Sequence, residues 1–381
     1  MTFSLEHEQF RASVRHYIDT HINPHIVAWE RAEFMPLHEI IKDMAKLGFV
    51  GLEYDPEFNG QGVDHLFTLV LAEELGRVNH GSFPMAFGVH VAMATPSLNA
   101  HGSKELKANY LAPAMTGDMV AGVAVTEPDA GSDVSGLRTW ARRDGDDWVI
   151  SGSKMYITNS LQADWLCMLV RTSESRSGYS GMSQIIVPTK SRGFEVRKLD
   201  KLGMRASDTG VITLDEVRVP LANTIGEAGR GFQQQMSQFV MERMFGSYNI
   251  PVAAKVALDR TKDYAHQRRV FGKPLADNQY LAYQFAELIA QTDLLAVYNH
   301  EVAVAHMAGE NVTRRATIAK LTAGRLIRSV ADWCMQVHGG MGYMEENWTA
   351  RFYRDQRLLS IGGGADEVML RVLSQIEGFA A

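Results

Sequence analysis

Three places in this sequence combine residue types and spacing that suit chemistry: a glutamate in an apolar helical setting, a short loop of hydroxyls and glycine, and a glycine run beside two acids. The glutamate is Glu242, in Phe239-Val-Met-Glu-Arg-Met-Phe245. On a helix it lies about one turn from Phe239 and Phe245, so its carboxylate emerges along an apolar edge. Partial burial there raises a carboxyl pKa and suits the group to taking a proton near neutral pH. The competing reading is a surface ion pair with Arg243, the commoner fate of a glutamate beside an arginine. The loop is Val123-Ala-Val-Thr-Glu-Pro-Asp-Ala-Gly-Ser-Asp133. By composition it is a strand entering a Pro/Asp/Gly turn. As chemistry, its N–H groups and the Thr126 and Ser132 hydroxyls would face a pyrophosphate or an isoalloxazine edge, and Gly131 would let the chain approach closely. The third stretch, Ile361-Gly-Gly-Gly-Ala-Asp-Glu-Val-Met369, reads either as a flexible loop before a final helix or as room left beside a ligand.

Other chemistry is not indicated. Cys167 and Cys334 are isolated and outside any metal-ligand spacing, so they read as buried small hydrophobes in a reducing compartment, and no metal site is expected. No Gly-x-Gly-x-x-Gly follows a strand, which leaves any dinucleotide to be held in a way other than the Rossmann one.

The elements that must position these residues fall into three segments. Ser4 is placed to cap a helix, with Phe10, Val14 and Ile18 as its apolar stripe, and helical texture continues to about Met119. Short β-rich runs follow at Trp148, Met155, Trp165, Gln184 and Val211, with Asp144-Gly145 as a hairpin signal. After the glycines between Gly226 and Gly231, long helices return: Phe232, Met236 and Phe239 begin one, and Phe285, Leu288, Ile289, Thr292 and Leu295 line another. The expectation is an α+β chain with a helical domain over 1–120, a middle antiparallel β domain over 121–228 and a C-terminal helical bundle over 229–381. A net charge of −6 without a basic block suggests neither nucleic acid nor an anionic membrane as partner. The longest apolar stretches are too short for a bilayer, and the opening MTFSLEHEQF has no signal-peptide pattern, so a cytoplasmic enzyme is expected.

The Val123–Asp133 stretch resembles the signature of the acyl-CoA dehydrogenase family, and further matches follow in the family's order. Gly152-Ser-Lys-Met-Tyr-Ile-Thr158 resembles its G-x-K-x-W-I-T strand, with Tyr156 where many relatives have tryptophan. Lys201-Leu-Gly-Met-Arg-Ala-Ser-Asp208 and Val217-Arg-Val-Pro220 are similar to its β-domain exit. Arg268, Phe271-Gly272 and Gln279, then Gln336-Val-His-Gly-Gly340, are similar to its flavin-binding helical region. The similarity runs from about Phe10 to Val372.

The resemblance implies FAD. Val123, Val125, Thr126, Gly131 and Ser132 would contact the flavin and its phosphates, and Tyr156 and Thr158 would cover the ring from the other side. Arg268, Phe271, Gln279, Gln336, Gly339 and Gly340 would clamp the FAD of a neighbouring subunit in a homotetramer or dimer, with Ala365 and Glu367 adding cofactor contacts. It also implies an acyl-CoA substrate, bound with help from Ser132, Arg243, Gly363 and Gly364, and an electron-transfer flavoprotein as redox partner. Many relatives carry the catalytic base in a late Y-E-G-T motif, on whose glutamate Gly363 falls. Isovaleryl-CoA and long-chain acyl-CoA dehydrogenases resemble this chain instead, with glycine there and a glutamate before an arginine on an earlier helix. Glu242 would then take the α-proton while flavin N5 takes the β-hydrogen as hydride, and the Gly363 N–H would bind the thioester oxygen. The IGGGADEVM stretch is also similar to citronellyl-CoA-type dehydrogenases, which implies a medium or long chain, or one with a methyl branch at C3. Rival readings are a flavin monooxygenase or oxidase on this scaffold, and a non-catalytic flavin or acyl-CoA binding protein.

Overall fold

In the computed structural model, residues 3–173 and 179–379 are described, so the first two residues of the opening decapeptide lie outside the described set. Ser4 caps the Leu5–Tyr17 helix in a reciprocal box with His7. Val14 and Ile18 are buried and Phe10 packs against the same core, with Ile18 opening a π-helical turn, Ile18–Ile22. Further helices follow as far as Ala112–Met115.

The chain then enters a sheet of β1 (Ala121–Ala124), β2 (Trp140–Asp144), β3 (Asp147–Thr158), β4 (Trp165–Arg171), β5 (Met182–Pro188), β6 (Phe194–Lys198) and β7 (Thr209–Pro220). The order is β1-β4-β2-β3-β7-β6, with β5 added on β4. Pairing is antiparallel in β2–β3, β3–β7, β6–β7 and β4–β5, and parallel where β4 meets β1 and touches β2. β1 arrives from the helices and leaves through the 125–139 loop, so no hairpin turns it against its neighbour. Asp144 pairs with Asp147 across Gly145 (φ 62°) and Asp146, a two-residue hairpin. The Trp148 and Met155 runs belong to one twelve-residue strand rather than two. Register shifts between Lys154 and Ile157 and a positive φ of 62° at Tyr156 bulge that strand and turn the tyrosine outward.

Beyond it lie the helices Gly231–Tyr248, Ile250–Gln267, Gln279–Met307, Thr313–His338, Trp348–Gln356 and Asp366–Ile376. Phe285, Leu288, Thr292 and Leu295 are buried as expected, but Ile289 is exposed. One residue past Leu288 is a rotation of about 100°, which carries Ile289 over the edge of the stripe. Met244, Phe245 and Tyr248 join the same apolar core as Ile18, Leu69, Phe83 and Phe87, so the first and last segments share one interior. The sheet keeps its own core around Ile150, Leu166, Ile185 and Val217. Buried Asp355 links all three segments, accepting from the Gly81 N–H at 2.8 Å and the Met204 N–H at 2.5 Å. Among the described residues no helix is long and apolar enough to cross a membrane.

One buried pair fixes the loop after β1. Lys154 Nζ donates to Glu127 Oε1 at 2.9 Å and to the carbonyls of Val125 at 2.9 Å and Leu169 at 2.7 Å. Glu127 in turn accepts the N–H groups of Arg138 at 2.7 Å and Thr139 at 2.9 Å. Burial pulls the Lys154 ammonium down to about 8, against the attraction of Glu127. Removing one partner strands a buried charge. Lys154→Met is expected to lower unfolding stability by about 3–5 kcal/mol in urea titrations followed by tryptophan fluorescence. A loss below about 1 kcal/mol would show that the pair carries no such weight.

Candidate active site

Glu242 lies on the inner side of the Gly231–Tyr248 helix and makes no hydrogen bond or ion pair with any described residue. Its carboxylate rests against Gly363, where an added Cβ would stand 3.0 Å from Oε1. Gly363 (φ 65°) and Gly364 (φ 96°) both occupy backbone conformations that favour glycine. The two positions therefore lie in close contact: a side chain at residue 363 would press on the glutamate carboxylate. Among the described residues the Gly363 N–H has no acceptor.

The groups around this carboxylate are buried and charged. Burial pushes the Glu242 carboxyl up to about 7, against the opposing charges of Arg243 and Lys320. Arg243 is itself buried, gives one N–H to Thr317 Oγ1 at 3.3 Å and leaves Nε without a partner. It points away from the surface pairing that its sequence context allowed. Lys320, from the Thr313–His338 helix, donates to the carbonyl of Gly364. Burial lowers its ammonium to about 8, with Asp366 first and Glu242 second holding it up. Asp366 is buried at the start of the last helix, its Oδ1 unpartnered and its Oδ2 4.0 Å from Arg325 Nε. Of the two late acids, Asp366 faces Lys320 and Arg325, and Glu367 is exposed.

A second group of expected residues comes together around the loop after β1. The Met155 N–H donates to the Thr126 carbonyl at 2.9 Å, setting the Val123–Ser132 stretch beside Tyr156 and Thr158. Val125 is buried beneath it, Val123, Thr126 and Thr158 are partly exposed, and Gly131, Ser132 and the Tyr156 ring face outward. The result is an open cradle with three hydroxyls and an exposed aromatic face on a backbone pinned by Lys154. That donor set suits the polar edge and flat ring of a flavin, so the residues present fit FAD.

A third group stands apart. Arg268 and Gln279 are exposed around the hairpin of Arg269–Val270 and Lys273–Pro274, from whose turn Phe271 projects fully into solvent. Tyr264 stacks on His338 at 4.2 Å, which brings this hairpin to the end of the helix that carries Gln336, just before Gly339 and Gly340. A Cβ on either glycine would meet nothing within 4 Å. No bond within the chain joins this end to the β1 loop among the described residues. Ala365 is partly buried ahead of the last helix.

With this geometry in view, the comparisons with known proteins agree. Family signatures described as the N-terminal, middle and C-terminal domains of acyl-CoA dehydrogenase match residues 4–118, 122–217 and 229–376. The mitochondrial long-chain specific acyl-CoA dehydrogenase of Mus musculus is 33% identical over 375 residues, 98% of this chain and 86% of that protein. The crystal structure of an acyl-CoA dehydrogenase from Geobacillus kaustophilus matches with a TM-score of 0.95 at 32% identity, covering 99% of both chains. A glutaryl-CoA dehydrogenase from Mycobacterium smegmatis, solved in complex with FADH2, matches with a TM-score of 0.92 at 27% identity over 100% of this chain and 96% of that one. The chain belongs to the acyl-CoA dehydrogenase family, enzymes that oxidise CH–CH bonds.

Reading the sequence missed Lys320, Lys154 and Glu127. Lys320 carried a faint signal: Ala316, Thr317, Ala319, Leu321 and Ala323 surround it with small or apolar residues, which makes a solvated lysine implausible there. Gly363→Ala forces a Cβ onto positive φ and against the Glu242 carboxylate, and is expected to cost about 1–2 kcal/mol of stability. Gly362→Ala, with its nearest neighbour at an ordinary 3.7 Å, serves as the control. Paired thermal melts giving equal losses would contradict this picture.

Proposed function

We propose that this chain is an FAD-dependent dehydrogenase that removes one hydrogen from each of the α- and β-carbons of an acyl-CoA thioester, with Glu242 as the base for the α-proton. The observation that carries this reading is the lone carboxyl at 242, raised to about 7 by burial, without a hydrogen bond, and set against a glycine that leaves room beside it. A base with no competing partner keeps its lone pairs for the substrate.

The remaining roles follow from the same arrangement. The free Gly363 N–H donates to the thioester oxygen, which stabilises negative charge as the α-proton leaves. Lys320 fixes the next carbonyl, at Gly364, and so holds the peptide beside that donor in one orientation. The positive charges of Lys320 and Arg243 favour the ionised form of Glu242, so burial does not lift its pKa out of the useful range. FAD, when bound, supplies the two-electron acceptor for the hydrogen that leaves the β-carbon. Thr126, Ser132 and Thr158 would hold its polar edge and phosphates and Tyr156 would cover its ring, while Val123, Val125 and Gly131 shape the cradle. Ala365 and Glu367 border the same cofactor.

Arg268, Phe271, Gln279, Gln336, Gly339 and Gly340 share an exposed end away from that cradle, an arrangement that favours their serving the FAD of a neighbouring copy. A homotetramer or dimer follows from this reading, with an electron-transfer flavoprotein as the electron acceptor. The likeness of the Ile361–Met369 stretch to citronellyl-CoA-type dehydrogenases supports a methyl branch at C3.

Glu242→Gln is expected to retain FAD and bind acyl-CoA while losing turnover by several orders of magnitude. In the unaltered enzyme, kcat/KM should rise with pH through about 7 and level off above it, because the base works only when deprotonated. Near-normal flavin bleaching by acyl-CoA in the variant would move the base elsewhere. A 3-methyl-branched octanoyl-CoA should be turned over at least as well as straight octanoyl-CoA; a strong preference for the straight chain in the same assay would rule out the branch.

A further inference from the structure

A cavity of about 260 Å³ opens along the helix that carries Glu242. Met241, Phe245 and Tyr248 line it at spacings of four and three residues, so one face of the helix, starting at the residue next to Glu242, borders the cavity. Most of the wall is apolar, with Phe49, Leu52 and Val91 among its residues. Its polar part is a chain of hydrogen bonds. The Tyr248 hydroxyl meets His65 Nε2 at 3.1 Å, and His65 Nδ1 meets Glu53 Oε1 at 2.8 Å. That same oxygen accepts from Thr68 Oγ1 at 2.7 Å. The second oxygen of Glu53 has no partner among the described residues, although the side chain is only 26% exposed.

The ligand atoms of Glu53, His65 and His306 lie within 4.8 Å of one another, which is a spacing a metal ion could use. His65, however, spends both ring nitrogens on Tyr248 and Glu53, so the cluster is a hydrogen-bond chain that leaves the second Glu53 oxygen and the His306 ring without hydrogen bonds among the described residues. Burial works to raise the Glu53 carboxyl, and the bond and charge of His65 outweigh it and hold the group below its ordinary value. The spare oxygen is therefore anionic at neutral pH.

Six residues separate Glu242 from Tyr248, about 9 Å along a helix, and at about 1.25 Å of advance per C–C bond an extended acyl chain covers that span in about seven bonds beyond its α-carbon. Resting on the reading of Glu242 as the base, we propose that this cavity receives the far end of an acyl chain about eight to ten carbons long, and that Glu53 accepts a hydrogen bond from a terminal hydroxyl there. A methyl end would cover the spare oxygen without giving it a partner. A carboxylate end would be repelled.

Calorimetry on the Glu242→Gln holoenzyme, which binds without turning over, tests this with octanoyl-CoA, 8-hydroxyoctanoyl-CoA and octanedioyl-CoA. The hydroxyl compound is expected to bind about tenfold more tightly than octanoyl-CoA, with octanedioyl-CoA weakest. Glu53→Leu in the same background should reverse the first preference. If that variant does not fold, Glu53→Gln should improve octanedioyl-CoA binding about tenfold and leave octanoyl-CoA unchanged. Equal affinities for all three thioesters, or Glu53 variants that weaken all three alike, would overturn the proposal and leave Glu53 a purely structural acid. Failure of every acyl-CoA to bind, or turnover by the Glu242→Gln enzyme, would instead strike the reading of Glu242.

Discussion

A carboxylate withdrawn from water and given no hydrogen bond is costly, and proteins keep such a group only where the surroundings hold it in place. At Glu242 the hold comes from three directions. The helix buries the side chain, Arg243 and Lys320 supply opposing charge, and Gly363 leaves the space that the carboxylate occupies. Much of the architecture serves this arrangement. The helix that carries Glu242 packs into the core of the N-terminal helices through Met244, Phe245 and Tyr248, while its start is stitched to β5 by the bond from Gln184 to Gln235 at 2.9 Å. Glu242 is thus clamped between two layers before any ligand arrives.

Two buried lysines do comparable work at different sites. Lys154 anchors the loop after β1, and Lys320 anchors the glycine loop that faces Glu242. Both are held partly against their own desolvation, and both donate to backbone carbonyls, so each converts an otherwise permissive loop into one conformation. Glycine supplies room and lysine supplies order. The exposed third group, around Phe271 and Gly339, has glycines but, among the described residues, no buried lysine to pin it.

The helical and β-rich segments and the N-terminal cap were legible because hydrophobic period and capping chemistry are local. Glu242 drew notice for a different reason: a vacant late position and a glutamate beside an arginine together imitate a known arrangement, and the structure brings Glu242 and Gly363 side by side. Local pattern failed where geometry depends on distant partners. Pairing with β7 along its whole length made two apparent runs one strand despite the bulge at Tyr156, β1 joined β4 in parallel, and Ile289 fell outside its stripe by one residue's rotation. Arg243 looked like half of a surface pair, and only the approach of the Thr313–His338 helix buries it. The Tyr248–His65 bond spans 183 residues, a distance across which no periodicity reports.

Proton removal by one side chain can be watched without any oxidation. A 3-thia acyl-CoA carries sulfur at the β-position, so no β-hydrogen is available and only the α-hydrogens can exchange. Nuclear magnetic resonance in D2O should show deuterium entering at C2 with the unaltered holoenzyme, and exchange falling to the uncatalysed rate when residue 242 is glutamine. Undiminished exchange in the glutamine enzyme would contradict the account at its centre.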